Sequence, residues 1–272
     1  ALGRCAVRVY WPFGGRSRKV TERNVQIAFP DLSAPEQAQM ALRSLCATGE
    51  LVAETGHVWL RPWEEAQGLI KSVEGAALIA DAQAKGRGVI VLAPHIGNWE
   101  IVGLHLGTLG STVSLYEPPK LAALGPMIER GRQRSGATLV PTDSRGLVKL
   151  LRSVKGGDIS GILPDQAPGD LNSGENAPFM GHPCFTPTLA SNMIRRTGAL
   201  AVFGMAERIN GGFALRYFLA EEGIYAADTQ VSLAAMNRGV EACVRCAPEQ
   251  YQWEYKRFRV RPKQGPGVYD DL

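Results

Sequence analysis

His95 and Glu100 stand five residues apart at the end of an apolar run, Val89-Ile90-Val91-Leu92-Ala93-Pro94, with Gly97 and Asn98 between them. Imidazole titrates near neutral pH, and a carboxylate bonded to one ring nitrogen fixes its tautomer and leaves the other nitrogen as a base. Such a pair is two-thirds of a catalytic triad without a protein nucleophile, a part that a substrate hydroxyl can fill. On a continuous helix the two residues would sit roughly 140° apart around the axis. The pairing therefore requires His95 on the loop that closes a strand and a helix that begins near Asn98. Gly97 or Asn98 then caps that helix, Glu100 falls in its first turn, and the backbone amides around Gly97 to Trp99, with Gly97 and Asn98 in the turn, become candidate oxyanion donors. A second reading stands beside this one: His95 as a hydrogen-bonded structural residue and Glu100 as a helix-dipole partner. The short motif alone does not separate them.

Three other groups of residues bear on the choice. Asp165, in Gly161-Ile-Leu-Pro164-Asp165-Gln166-Ala-Pro168-Gly169, follows a predicted strand, at the sheet end where open α/β folds bind ligands. It is placed to approach His95, to hold Arg132 or a substrate group, or simply to organise a turn. The run Glu129-Arg130-Gly131-Arg132-Gln133-Arg134, with Arg145 beyond the next strand, offers guanidinium groups for phosphate or carboxylate. Arg130 and Arg134 share a face and read as solvated; Arg132 lies on another side. The loop Ala177-Pro-Phe-Met-Gly-His182-Pro183, leading to Thr186-Pro-Thr188, either lines an acyl groove or covers a sheet edge. His57, His105 and His182 read as packing or surface residues.

These side chains need a scaffold. Hydrophobic periodicity predicts helices at 34–56, 74–85, 98–108, 121–135, 145–154, 187–197 and 229–247. Strands are predicted at 89–93, 112–116, 138–141, 158–163, 200–207 and 213–220, with a long loop from Pro164 to Thr186. The alternation points to an α/β fold of three layers with a mostly parallel sheet and flanking helices. Asn210-Gly-Gly212 joins the last two strands as an antiparallel hairpin. Without repeats or a low-complexity linker, residues 1–272 read as one domain.

The chain carries a net charge of +4, concentrated at its ends: Arg4, Arg8, Arg16, Arg18, Lys19 and Arg23, then Lys256, Arg257, Arg259, Arg261 and Lys263. These clusters suit an anionic membrane surface better than nucleic acid, since they lack interleaved stacking aromatics. No apolar run reaches the ~20 residues a membrane-spanning helix needs, and no signal peptide is visible. Five cysteines at scattered spacings argue for a reducing compartment rather than a disulfide framework. Cys243-Val-Arg-Cys246 has no second pair, so it reads as part of an amphipathic helix. No metal or cofactor is implied. The G-x-S-x-G elbow, G-x-G-x-x-G, the P-loop and H-E-x-x-H are all absent, which leaves His95 as the leading catalytic candidate.

The order of motifs carries a further signal. It runs Asn24-Val-Gln-Ile-Ala-Phe29-Pro30, then Gly88 through Pro94-His95-Ile96-Gly97-Asn98-Trp99-Glu100, Arg132 before Gly136-Ala137, and Leu163-Pro164-Asp165-Gln166. Pro178-Phe-Met-Gly181, Arg196-Thr-Gly198-Ala199 and Glu249-Gln-Tyr-Gln-Trp253 through Arg257-Phe258-Arg259 follow. The series resembles, over nearly the whole chain, the bacterial late acyltransferases of lipid A biosynthesis, the lauroyl/myristoyl transferases of the lysophospholipid acyltransferase superfamily. The resemblance implies a glycerolipid-acyltransferase-like fold and a peripheral or monotopic enzyme on the cytoplasmic face of the inner membrane. It implies transfer of a fatty acyl group from acyl carrier protein to a hydroxyl of a lipid A precursor. The family's base falls on His95, its carboxylate partner on Glu100, its functional arginine on Arg132 and its Pro-Asp-Gln aspartate on Asp165. It also implies that an apolar anchor precedes Ala1, removed or outside this numbering, and that residues 1–60 are a basic, membrane-proximal helical segment. Ile96 and Glu117 depart from the family's pattern and leave the acceptor and chain length open. Acyl-CoA as donor, another glycolipid, aminolipid or glycerol-phosphate acceptor, and a non-catalytic lipid-binding role are the alternatives.

Overall fold

The computed structural model describes residues 2–119, 121–263 and 265–272. In chain order the elements are α1 (Leu2–Tyr10), α2 (Arg16–Ala28), α3 (Ala34–Leu60), α4 (Trp63–Gln67), β1 (Ile70–Glu74), α5 (Ala77–Ala84) and β2 (Val89–Leu92). Next come α6 (Trp99–Leu109), β3 (Val113–Tyr116), α7 (Gly125–Gln133), β4 (Thr138–Pro141), α8 (Ser144–Lys155) and β5 (Ile159–Ile162). The chain continues through β6 (Gly174–Phe179), β7 (His182–Pro187), α9 (Leu189–Thr197), β8 (Leu200–Ile209), β9 (Gly212–Leu219) and α10 (Thr229–Cys246).

The main sheet has the order β1-β9-β8-β2-β5, with every pair parallel except β8–β9. That antiparallel hairpin turns at Asn210-Gly211, where Gly211 takes a φ of 79°. Strands β3 and β4 form a small parallel sheet that meets the edge of the main one through a Thr112–Ile159 bridge. The centre of the fold is β2, whose four residues are fully buried, as a parallel strand covered on both faces must be. Its alternation sorts the core: Ile90 and Leu92 pack with α8, α9 and α10, while Val89 and Val91 pack with α5 and α6. The result is helices on both faces of a mostly parallel sheet, as the periodicity predicts.

Several elements depart from the sequence reading, each for a local reason. Strand β1 was not anticipated, because only Ile70 is even half-buried and an exposed edge strand carries no alternation. The predicted loop 164–186 contains the hairpin β6–β7, whose two-residue turn places Met180 and Gly181 at φ of 49° and 75°. Pro178, Pro183 and Pro187 within those strands mask them as loop. Helix α3 opens with a Ser33–Glu36 capping box and runs past the predicted end at residue 56 to Leu60. Residues 121–135 form a 3-10 turn before the shorter α7, with Pro126 in its first turn. The basic N-terminal stretch folds into α1 and α2, both packed on α3. Ala1 lies outside the described residues.

Candidate active site

The loop after β2 is stitched to two distant segments by its backbone. Gly97 N–H donates to Gln250 O and Asn98 N–H to Ala206 O, both at 3.0 Å, while His95 O accepts from Gln252 N–H. Gly97 has a φ of 58°, and a Cβ there would meet Ala206 O at 1.9 Å, so only glycine fits. Asn98 caps α6, accepting from Ile101 N–H and donating from Nδ2 to Glu54 at 3.1 Å. His95 therefore sits on the loop and α6 starts at Trp99, the arrangement the spacing requires. These bonds also correct one expectation. The amides of Gly97 and Asn98 are already paired and cannot hold an oxyanion. Among the described residues, the first-turn amides of Trp99 and Glu100 have no such partner.

The pairing of charges differs from the sequence expectation. His95 Nδ1 lies 2.7 Å from Asp165 Oδ1, and His95 N–H donates to Asp165 Oδ2 at 2.9 Å, so one carboxylate grips both ring and backbone. Asp165 is buried, and burial alone would raise its pKa; the charge and hydrogen bonds of His95, with Arg257 behind, hold it below the usual carboxylate range. An ionised Asp165 accepts a proton-bearing Nδ1, which leaves Nε2 without a partner among the described residues. The His95 ring lies 4.8 Å from that of Trp99.

Glu100, the expected partner of His95, turns elsewhere. Its carboxylate accepts from Arg132 Nε at 2.9 Å and Nη2 at 2.5 Å, and from Trp59 Nε1 at 3.2 Å. The first turn of α6 aims the side chain toward α3 and α7, where a bidentate guanidinium outcompetes a single imidazole bond. Burial opposes the Arg132 charge, but the bonds and charge of Glu100 prevail and raise its pKa. The rings of Trp59 and Tyr116 flank the guanidinium at 5.9 Å. Asp165, then, meets His95 and not Arg132, and the spacing His-x4-Glu joins two charge pairs rather than forming one.

Glu100 and Arg132 stand on the wall of an apolar pocket of about 120 Å³ between α6 and strands β3, β4 and β5. Trp99, Gly103, Leu106, Leu115, Leu139 and Ile162 are among its lining residues. Trp99 thus borders both the pocket and His95. The loop 177–188, for which lining an acyl groove and covering a sheet edge were the two readings, does not reach the pocket: Phe179 is fully buried against Tyr251 and Phe258, and Pro178 and Pro183 face each other across the hairpin. His105 bonds the Tyr217 hydroxyl at 2.8 Å, and burial lowers its pKa, consistent with a neutral packing residue. His182 is exposed beside Phe258, and His57 lies in the last turn of α3. Cys243 is buried and Cys246 exposed on α10. The sequence reading missed Trp59, which belongs to no local motif, and assigned no role to Tyr251 within Glu249-Gln-Tyr-Gln-Trp253. Tyr251 bridges to Ile96, the buried residue beside the base. Among the described residues, no helix is long and apolar enough to cross a membrane, and no cluster of three metal-ligating side chains occurs.

Comparison with known proteins adds independent findings. Residues 1–260 match the profile described as bacterial lipid A biosynthesis acyltransferase. The chain is 28% identical to a lipid A biosynthesis lauroyltransferase of Escherichia coli, over 98% of this chain and 86% of that protein. It is 29% identical to the palmitoleoyltransferase of the same organism, over 95% and 84% respectively. To the myristoyltransferase it is 22% identical, over 96% and 79%.

Proposed function

The chain belongs to the bacterial lipid A biosynthesis acyltransferase family, and from that premise we propose that it moves a fatty acyl group from acyl carrier protein to a hydroxyl of a lipid A precursor. The observation that carries the mechanism is the grip of Asp165 on His95, which leaves Nε2 free on a ring lying against Trp99, itself a lining residue of the apolar pocket. In this reading Nε2 takes the proton of the acceptor hydroxyl as its oxygen attacks the thioester carbonyl. The ester C–O bond forms, the C–S bond breaks, and the proton passes from imidazolium to the departing thiolate. Asp165 stabilises the imidazolium, the role that the sequence spacing assigned to Glu100. General-base assistance of this kind contributes ~10²–10⁴-fold.

Glu100 acts through Arg132. It occupies Nε and one Nη2 hydrogen, and the other guanidinium hydrogens remain for the carbonyl oxygen as charge develops. The free amides of Trp99 and Glu100 add oxyanion donors at a helix N-terminus. The acyl chain enters the pocket between α6 and β3–β5.

The fold is read as glycerolipid-acyltransferase-like, one acyltransferase domain over 1–272, with residues 1–60 nearest the membrane. Exposed Val9 and Phe13 stand among Arg8, Arg16 and Lys19, a combination suited to peripheral attachment at the anionic cytoplasmic face of the inner membrane. The three relatives differ in the acyl group they are named for, so family membership leaves chain length open. The test is transfer of radiolabelled acyl groups, ten to sixteen carbons long, from carrier protein to a lipid A precursor, with His95→Ala as control. Label in the lipid with wild type and not with the variant supports the reading; no labelled lipid with wild type overturns it.

A further inference from the structure

We infer that the outer face of α8 docks the acidic carrier protein that delivers the acyl group, an inference that rests on the acyl-transfer reading above. Helix α8 has twelve residues, no acidic side chain, and basic residues at Arg145, Lys149, Arg152 and Lys155. All four are exposed, and none takes part in an ion pair or side-chain hydrogen bond among the described residues. Their spacing places them on one arc of the helix, opposite Gly146, Leu150 and Val154, which are buried against the sheet. The two nearest acids in sequence are engaged: Asp143 caps Gly146 N–H at 2.8 Å, and Asp158 accepts from the Ser153 hydroxyl. An unneutralised stripe roughly 18 Å long is left. Its charge complements an acidic helix rather than a neutral surface.

Two observations favour a protein over a lipid surface. The one large apolar residue exposed along the stripe is Val148, 46% exposed, whereas the basic N-terminal segment exposes Phe13 and Val9 at 77% and 72%. Helix α8 packs on β3, β4, β5 and α9, while α1 and α2 pack on α3, so the two basic surfaces belong to different parts of the fold. Position ties the stripe to the site. Helix α8 starts directly after β4, and β4 contributes Leu139 to the pocket that holds Glu100 and Arg132. Since α8 and α6 lie on opposite faces of the sheet, a carrier seated along α8 would pass its prosthetic arm round the strand ends at the start of α8 to reach the pocket.

The double variant Lys149→Glu/Arg152→Glu tests this in the full chain, with Lys149→Gln/Arg152→Gln as the neutral form and circular dichroism as the folding control. Fluorescence anisotropy reads binding of labelled dodecanoyl carrier protein without requiring turnover. The charge reversal is expected to weaken that binding, and to raise KM for the carrier substrate, by at least about tenfold, with the neutral variant in between. Turnover of an uncharged N-acetylcysteamine thioester and binding to phosphatidylglycerol vesicles should change less than about twofold. Carrier binding unaltered by charge reversal overturns the inference, as does loss of vesicle binding with carrier affinity intact. Carrier binding that obeys the prediction without acyl transfer from wild type would sink the functional reading and leave the docking surface standing.

Discussion

The carboxylate of Asp165 holds the imidazole of His95 at 2.7 Å and the backbone N–H of the same residue at 2.9 Å, across seventy residues of sequence. A single acid thus fixes both the tautomer of the ring and the loop that carries it. Asp165→Asn keeps the shape but lets either tautomer form and removes the countercharge to an imidazolium. It should lower kcat for acyl transfer by ~10²–10⁴ with little change in KM. Steady-state kinetics with the carrier-bound donor checks this.

The same pair sets a pH signature. The folded-state pKa of Asp165 is depressed, so its ionised form contributes stability at every pH above the ordinary carboxylate value of about 4. That contribution declines as pH falls below about 4 and is gone once pH passes below the folded-state pKa. Urea unfolding from pH 5 downward should show a steeper loss of stability for wild type than for Asp165→Asn.

Much of this arrangement was legible in the sequence, and the illegible part has a physical cause. The spacing of His95, Asn98 and Glu100 predicted the strand–loop–helix correctly, because capping and helical periodicity are local. The partners were not legible. Whether Glu100 or Asp165 meets His95 depends on where α6 points its first turn and where β5 ends, both set by packing. Trp59 reaches Glu100 from α3, a contact across 41 residues that no short motif announces. Likewise β1 and the β6–β7 hairpin escaped notice, one because its side chains are exposed and the other because prolines interrupt both its strands.

Removing Glu100 should damage stability as well as rate. Glu100→Ala leaves the guanidinium of Arg132 without its bidentate partner in a largely buried place. Breaking a fully buried pair costs ~3–5 kcal/mol, and the third of Arg132 that remains exposed reduces this to ~1–3 kcal/mol. The double variant Glu100→Ala/Arg132→Met should recover much of that loss while staying inactive. Denaturant unfolding of wild type, Glu100→Ala, Arg132→Met and the double variant measures the coupling.

Gly97→Ala probes the turn itself. The positive φ and the approach of Ala206 O forbid a side chain, so the loop must detach from β8. A loss of at least ~2 kcal/mol is expected, together with the loss of acyl transfer, by thermal unfolding and assay in parallel.

The pocket offers a ruler that can be shortened. Gly103 lines it, and a Cβ there would meet no atom within 4 Å. Gly103→Met should therefore fold normally and fill space that an acyl tail would occupy. Relative kcat/KM should shift toward shorter donors by ~10–200-fold, measured across carrier proteins loaded with ten- to sixteen-carbon chains.

The account depends on which nitrogen of His95 is free and on what holds the other. Nitrogen-15 NMR of histidine-labelled protein resolves this among only four histidines. In neutral imidazole the proton should reside on Nδ1, with Nε2 as acceptor, and Asp165→Asn should disturb that signature while Glu100→Gln leaves it in place. A proton on Nε2, or a signature that follows Glu100 and ignores Asp165, would contradict the mechanism.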